Sequence, residues 1–391
     1  MSVGIEKVGF YTAPYYIDMV DLAKARQQDP NKFLVGIGQK QQSVIPPSQD
    51  VVSMAANAAT NILSDEDKQL IDMIIFGTET GIDNSKAASM YLQSLLGISD
   101  NARAFEIKQA CYGATAGLQM AIDYITLHPD RKVIVVGADI ARYGLNTSGE
   151  VTQGGGAVVM LISNQPKIIQ FDGRSTFYSK NVMDFWRPGY TKEAKVDGHY
   201  SNDVYIDFFN RTFKQFLQKF DLTINDFSAL TFHVPYPKMG IKALRSVAGE
   251  DDPSMESIWH EFHESIIYNS RVGNLYTGSL YLSLISLIAN SDTLSAGDRI
   301  GMFSYGSGAQ GEFFAGILQD FDNSKLKHAV DQIINNRNQL TISEYEAMYK
   351  QGLIDAANTA NDLSGDSSRF VLKGRSDDKL IYRDQEMNID F

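Results

Sequence analysis

The sequence has almost no cysteine, one in 391 residues. An intramolecular disulfide is therefore impossible, and zinc sites built on several thiolates are excluded. Positive charge is also in deficit: 35 Lys and Arg stand against 47 Asp and Glu, leaving a net charge of −12 and a pI near 5.0. That balance argues against nucleic acid or an anionic membrane surface as the main partner. Long hydrophobic runs are missing too. The most apolar stretch, Leu275 to Ala289, is too short and too rich in Ser and Tyr to span a bilayer. The amino terminus places Glu6 and Lys7 where a secretion signal needs an apolar core. A soluble cytoplasmic protein is expected. Hydrophobic residues make up 43% of the chain, enough for a large buried core and incompatible with a disordered or fibrous one. At about 150 residues per domain, the length suggests two or three units.

Two stretches share a plan with almost no identities. In the first, the strand-like Met73 to Gly77 runs into Thr78 and Glu79. Ala104 to Ile107, Cys111, a small-residue helix from Tyr112 to Leu127, Val133 to Val136, a Gly-rich turn at Gly154 to Gly156, and Ala157 to Ile162 follow. In the second, Ala229 to Phe232 runs into His233. Val272 to Asn274, the apolar helix Leu275 to Ala289, Ile300 to Phe303, a Gly-rich turn, and Phe313 to Leu318 complete it. Each half opens with a β-rich segment, Val3 to Tyr11 and Lys167 to Phe171. Such runs, alternating with helices, read as buried strands of an α/β sheet. The two helices are apolar or small nearly all round, as helices sandwiched between two sheets would be. The expectation is a duplicated α/β protein. Residues 1–165 form a first half with Glu79 and Cys111, and residues 166–391 a second with His233. A polar helical appendage begins at about residue 319, Thr341 and Glu344 form a capping box within it, and Phe370 to Leu372 could add a short strand.

Three residues carry candidate chemistry. A lone cysteine is usually inert core filler. Cys111, however, sits between a strand and a helix that begins almost at the cysteine itself, where unpaired amides and the dipole favour a thiolate and could hold an oxyanion. His233, on general grounds a structural residue, occupies the place in the second half that Glu79 occupies in the first. If the halves pack about a pseudo-dyad, both strand ends face the helix start carrying Cys111. The three would then supply a nucleophile, a polarising donor and a general base. Glu79 would ordinarily be a solvated loop carboxylate, but it is delivered to the carboxyl end of a buried strand, where open α/β sheets place their ligands.

Other motifs are weaker. Gly306-Ser-Gly308-Ala-Gln-Gly311 matches G-x-G-x-x-G but precedes a strand, so it reads as a turn, not a dinucleotide site. His260 and His263 lack a third metal ligand nearby and read as a surface helix face. The sequon at Asn146 has no secretion signal to give it meaning. On a helix, Lys238, Lys242 and Arg245 would share one face beside His233 and suit an anionic ligand such as a nucleotide phosphate, or be plain surface.

In order along the chain stand Gly77-Thr-Glu79, Glu106-Ile-Lys-Gln-Ala-Cys111-Tyr-Gly-Ala-Thr115, Tyr143-Gly-Leu-Asn146, Asp184-Phe-Trp-Arg-Pro188, Phe232-His233-Val-Pro-Tyr236, Lys238-Met-Gly240, Val272-Gly-Asn274-Leu-Tyr276 and Phe303-Ser-Tyr-Gly-Ser307. Up to about residue 350 this series resembles the bacterial 3-hydroxy-3-methylglutaryl-CoA synthases. The resemblance implies the thiolase fold, a duplicated five-layer αβαβα sandwich, and a homodimer. It implies that Cys111 takes the acetyl group from acetyl-CoA, that Glu79 removes a methyl proton, and that His233 polarises the ketone of acetoacetyl-CoA. Matching positions imply substrate contacts from Asp29, Thr152, Ser201, Asn274 and Ser307, with Lys242 toward the CoA. Neither a metal nor a redox cofactor is implied. The chain departs from the family pattern at Gln153-Gly-Gly155-Gly, Arg187-Pro-Gly-Tyr190 and His199-Tyr200, and its last forty residues match poorly. Two other readings share the fold: a β-ketoacyl carrier-protein synthase, which has no use for Glu79 as base, and a non-catalytic scaffold.

Overall fold

Strand residues of opposite parity reach different layers, and this alternation builds the molecule. The computed structural model describes residues 2–391. Nine strands form one sheet: β1 (Val3–Tyr11), β2 (Ile71–Gly77), β3 (Arg103–Ile107), β4 (Lys132–Ala141), β5 (Gly154–Ser163), β6 (Ile169–Ser179), β7 (Ala229–Phe232), β8 (Arg299–Gly306) and β9 (Gln310–Leu318). Their spatial order is β7-β8-β9-β6-β1-β5-β4-β2-β3. Parallel pairing is confined to β2 with β3 and β4, and to β7 with β8. In the repeat, β2 and β4 correspond to β7 and β8.

The principal helices are α1 (Val51–Thr60), α2 (Ala88–Leu96), α3 (Gly113–Leu127), α4 (Gly198–Phe220), α5 (Pro237–Arg245), α6 (Glu256–Ser265), α7 (Ser279–Asn290), α8 (Ser324–Asn335) and α9 (Ile342–Gln351). Ile74, Phe76, Ile134 and Val136 pack outward against α1 and α2. Their neighbours Met73, Ile75, Val133 and Val135 pack inward with α3, α7, and Ile300 and Met302 of β8. On the far side Leu230, Phe232, Phe303 and Phe313 meet α4, α5 and α6. The layers are therefore helix, sheet, helix, sheet, helix, a thiolase-like arrangement. Every residue of α7 from Ser279 to Ala289 is buried; at about 1.5–3 kcal/mol per fully buried Leu or Ile, this helix is a main source of cohesion between the halves.

Three expectations need correction. The two sheets are hydrogen-bonded into one, because β1 and β6, which open the two halves, pair antiparallel through Val3–Phe171 and Ile5–Ile169. Gly154 to Gly156 are not a turn: β4 continues to Ala141, and its last residues recruit the glycines as the first rungs of β5. The tail is helical only to Gln351. Beyond it lies a four-stranded antiparallel sheet whose main strands are Phe370–Ser376 and Lys379–Asp384. A tight hairpin with Asp377 and Asp378 at φ 47° and 64° joins them, and this polar pair masks the strand pattern on either side. The sheet docks on the first half: Phe370 and Tyr382 join the α1 cluster. The Tyr382 hydroxyl donates to Asp50 at 2.6 Å, and Asn57 bonds the Phe370 backbone at 2.8 and 2.9 Å.

Candidate active site

Glu79 and Cys111 meet because β2 ends against the start of α3. A Cβ on Gly77 would lie 2.3 Å from the Ala114 nitrogen, so only glycine permits this approach. Two residues on, Glu79 Oε1 accepts from Cys111 Sγ at 3.3 Å. The other oxygen, Oε2, accepts from Arg187 Nη2 at 3.2 Å, with the Glu79 side chain 7% exposed. Cys111 precedes the helix cap Tyr112 and follows Ala110, which is held at φ 43°.

Behind this pair lies Asp139 at the end of β4, fully buried. Its Oδ1 accepts from the Thr78 hydroxyl (2.8 Å), the Glu79 amide (2.8 Å), and the amide and hydroxyl of Thr80 (2.9 and 2.8 Å). Its Oδ2 accepts from the Thr277 amide at 3.0 Å and hydroxyl at 2.5 Å. One carboxylate thus ties the Glu79 loop of the first half to the turn before α7 in the second. The sequence reading missed Asp139 because it lies inside an apolar strand pattern.

Burial dominates the electrostatics. It pushes the Glu79 carboxyl up to about 7, with Asp139 adding to the effect while Arg187 and the Cys111 hydrogen bond oppose it. The Cys111 thiol is pushed well above its ordinary value, by burial first and by Glu79 and Asp139 next. This runs against the expectation of a thiolate favoured by the helix start: burial, reinforced by Glu79 and Asp139, favours the neutral thiol. The expected oxyanion donors are also engaged, since the amides of Tyr112 and Gly113 donate to Gln109 and Ala110 at 3.0 and 3.4 Å.

His233 follows β7 and is 2% exposed. Burial lowers its pKa to about 3, so the imidazole is neutral, and Nδ1 is buried without a hydrogen-bond partner. Its backbone is fixed by its amide, which donates to Phe303 O at 2.8 Å, and by the Tyr205 hydroxyl, which donates to its carbonyl at 2.6 Å. From Phe303, β8 runs on to Gly306, where a Cβ would lie 2.5 Å from Gln109 O and 2.7 Å from Tyr112 N. One strand therefore links the His233 end of β7 to the segment carrying Cys111.

Around the sulfur, Tyr143, Phe185 and Tyr276 form a ring-edge triangle with centroids 5.8–6.1 Å apart, in one cluster with Cys111. Asn274 is buried beside it. Its Nδ2 donates to the Tyr143 hydroxyl at 3.4 Å, and its Oδ1 accepts from the Tyr276 amide at 2.8 Å and the Ser279 hydroxyl at 3.1 Å. Ser307 shares a cavity of about 1310 Å³ with Glu79, Phe185, Arg187, Arg142 and Lys108. Cys111 and His233 do not line this cavity; Ala110, one residue before the sulfur, does.

None of the remaining predicted contacts lines this cavity. Ser201 donates to Asp184 at 3.2 Å, and the same carboxylate accepts from Tyr305 at 2.7 Å and the Gly308 amide at 2.9 Å. Asp184 thus joins the Ser201 helix to the Ser307 turn, a role its apolar neighbours hid. The Thr152 hydroxyl donates to Gly149 O at 2.9 Å. Asp29 is exposed and caps a short helix, Pro30–Leu34, by accepting from the Asn31 amide at 2.9 Å. The segment after that helix is stitched to α5 by Lys238 N to Ile37 O at 3.0 Å, so the elements carrying Asp29 and Lys242 are neighbours. Arg245 pairs with Glu250 at 2.7 Å, which reduces the basic face to the half-buried Lys238 and Lys242.

Residues 1–167 match the family model for the hydroxymethylglutaryl-coenzyme A synthase N terminal, and residues 169–262 and 252–361 match that for the C terminal. The chain is 51% identical to the hydroxymethylglutaryl-CoA synthase of Enterococcus faecalis over 355 residues, 90% of this chain and 93% of the relative. It is 33% identical to a polyketide-biosynthesis 3-hydroxy-3-methylglutaryl-ACP synthase of Bacillus subtilis over 374 residues, 90% and 88% of the two chains. Among solved structures, an HMG-CoA synthase complexed with CoA superposes with a TM-score of 0.93 at 39% identity, covering 98% of this chain and 100% of that one. The HMG synthase of the curacin biosynthetic pathway, in complex with acetyl donor-ACP, gives 0.90 at 32% identity over 98% and 100%.

Proposed function

Because the chain belongs to the hydroxymethylglutaryl-CoA synthase family, we propose that it condenses acetyl-CoA, acetoacetyl-CoA and water to 3-hydroxy-3-methylglutaryl-CoA and free CoA. The Cys111 sulfur attacks the acetyl thioester carbonyl, its proton passes to the solvent or to Glu79, and CoA leaves as a thiol. Ionised Glu79 then takes a proton from the acetyl methyl. The enolate carbon forms a bond to the ketone carbon of acetoacetyl-CoA, and the ketone oxygen gains a proton. Water cleaves the Cys111 thioester, releasing the new carboxylate and restoring the thiol. Neutral His233 supplies a hydrogen bond to the ketone as charge develops there. Asn274 and Ser307 contact the reacting acyl groups; Asp29, Thr152, Ser201 and Lys242 contact the substrates further out. The reaction written this way calls for neither a metal nor a redox cofactor.

The contact that carries this reading is Cys111 Sγ to Glu79 Oε1 at 3.3 Å. A condensing enzyme without a proton to abstract from a bound acetyl has no use for a carboxyl placed there and tuned to about 7. The test is intact mass after incubation with acetyl-CoA, followed by chase with acetoacetyl-CoA. An adduct of one acetyl on Cys111, discharged to 3-hydroxy-3-methylglutaryl-CoA, is expected; no adduct would leave the non-catalytic scaffold. Repeating the load with acetyl carrier protein separates a CoA-dependent enzyme from the carrier-protein-dependent relatives.

We further propose a homodimer, a cytoplasmic location and a place in the mevalonate route to isoprenoids. β3 lies at the open edge of the sheet with Phe105 and Ile107 only half-buried, an edge that a second copy would cover. Among the described residues no helix is long and apolar enough to cross a membrane.

A further inference from the structure

We infer that Arg187 is a positioning residue for the condensation step: its guanidinium fixes the Glu79 carboxylate so that Oε1 faces the sulfur of Cys111. The inference rests on the assignment of Glu79 as base.

The argument begins with the two oxygens of Glu79, which have separate partners. Oε1 meets Cys111 at 3.3 Å and Oε2 meets Arg187 at 3.2 Å. A carboxylate held at one oxygen by a charged donor cannot rotate freely, so the other oxygen keeps its aim. Arg187 is itself held. Its guanidinium lies over the Tyr276 ring, 5.7 Å from the centroid, and its side chain is 14% exposed. The strand-like segment bearing it is pinned at both ends. Asp184 bonds Tyr305, Ser201 and the Gly308 amide, and the Ala194 amide donates to Arg142 O at 2.9 Å. Between these pins the chain exposes Trp186 and Tyr190 and lines the cavity that Glu79 faces. Arg187 is thus the inward-facing charge on a strap laid across the base by the second half of the molecule.

Charge balance explains why a cation belongs there. The groups facing Glu79 are Cys111 before α3, Asp139 at the end of β4, Tyr143, and Tyr276 before α7, with Glu106, Lys108 and Arg142 across the cavity. Burial and Asp139 both favour the protonated acid, and Arg187 is the charged neighbour that opposes them. Without it Glu79 would lose both its aim and much of its ionised fraction near neutrality.

The test compares wild type with Arg187→Gln and Arg187→Lys, measuring condensation against pH and acetyl loading separately. If the Gln variant raises the Glu79 pKa by one unit, the ionised fraction at pH 7 falls about fivefold, and the rate recovers toward pH 9. The Lys variant, keeping the charge but not the fork, should restore the pH limb more than the rate. A Gln variant with wild-type condensation and an unmoved acid limb would overturn the inference, as would a Gln variant that loses acetyl loading and condensation equally at every pH. Glu79→Gln serves as the control. If that variant condenses normally, the assignment of the base has failed, and Arg187 with it; if it is inactive while Arg187→Gln is unchanged, only the role of Arg187 has failed.

Discussion

Replacing Glu79 by Gln should remove carbon–carbon bond formation and, at alkaline pH, make the protein more stable. The two effects have one origin. Folding buries the Glu79 carboxyl and moves it from its ordinary 4.5 to about 7. Between those values the native state holds a proton that the unfolded state has released. Stability contributed by this group is therefore fully present below 4.5 and is lost as pH rises through 7. Glutamine has no such proton to lose. At about 1.4 kcal/mol per unit, the advantage of the Gln variant should grow by roughly 2–3 kcal/mol between pH 5 and pH 8. With an unfolding entropy of about 2.1 cal/mol/K per residue over 391 residues, that corresponds to a relative rise in Tm of about 3 °C. Thermal unfolding of both proteins at the two pH values is the assay, read as the change in the difference so that loss of packing cancels. In parallel, the Gln variant should show the acetyl adduct by mass, form almost no 3-hydroxy-3-methylglutaryl-CoA, and stop exchanging its acetyl methyl protons with deuterated water. A stability difference that does not move with pH would refute a carboxyl held in this environment. Normal condensation would refute the base itself, and loss of loading would mean that Glu79 acts earlier.

Cys111→Ser should abolish the acetyl adduct, because a serine in the same buried, carboxylate-rich pocket has no accessible alkoxide; an adduct at wild-type rate would place the nucleophile elsewhere. His233 is neutral down to about pH 3, so His233→Ala should weaken saturation by acetoacetyl-CoA and leave the acid limb near pH 7 in place. A limb that disappears with the histidine would reassign that ionisation. Lys242→Ala should raise the KM for CoA esters by a few-fold, less so in high salt; unchanged saturation would make α5 a plain solvated face.

Much of the fold was legible because buried strands and central helices announce themselves by composition. Met73 to Phe76 and Val133 to Val136 are apolar on both faces, and the structure puts alternate residues in two different cores. What composition cannot carry is which strands pair at the centre. The contact between β1 and β6 joins residues about 165 positions apart through backbone groups alone, and nothing in their side chains marks it. The tail was legible only in part, for a different reason. Its sheet is short, half-exposed and interrupted by the Asp377–Asp378 hairpin, so its period-two pattern never runs long enough to stand out from polar loop.

The site divides along similar lines. Glu79, Cys111 and His233 stand out as candidates because each ends or follows an element that composition reveals, and the duplication gives two of them matching places. Arg187, Asp139 and Asp184 could not be ranked the same way, since what makes them matter is a partner far along the chain: Glu79 for the first, Thr277 for the second, Tyr305 for the third. The misjudged electrostatics follow from this. A helix start beside Cys111 predicts a lowered thiol pKa if the sulfur faces solvent and its own helix alone. Once folding buries the sulfur and sets Glu79 against it with Asp139 behind, the same position raises the thiol pKa. The resting pair is then a neutral thiol beside a carboxyl near neutrality, well suited to passing a proton between sulfur and oxygen. Chemistry at Cys111 therefore depends on the second half of the molecule, through Arg187 and Thr277, as much as on the half that carries the cysteine.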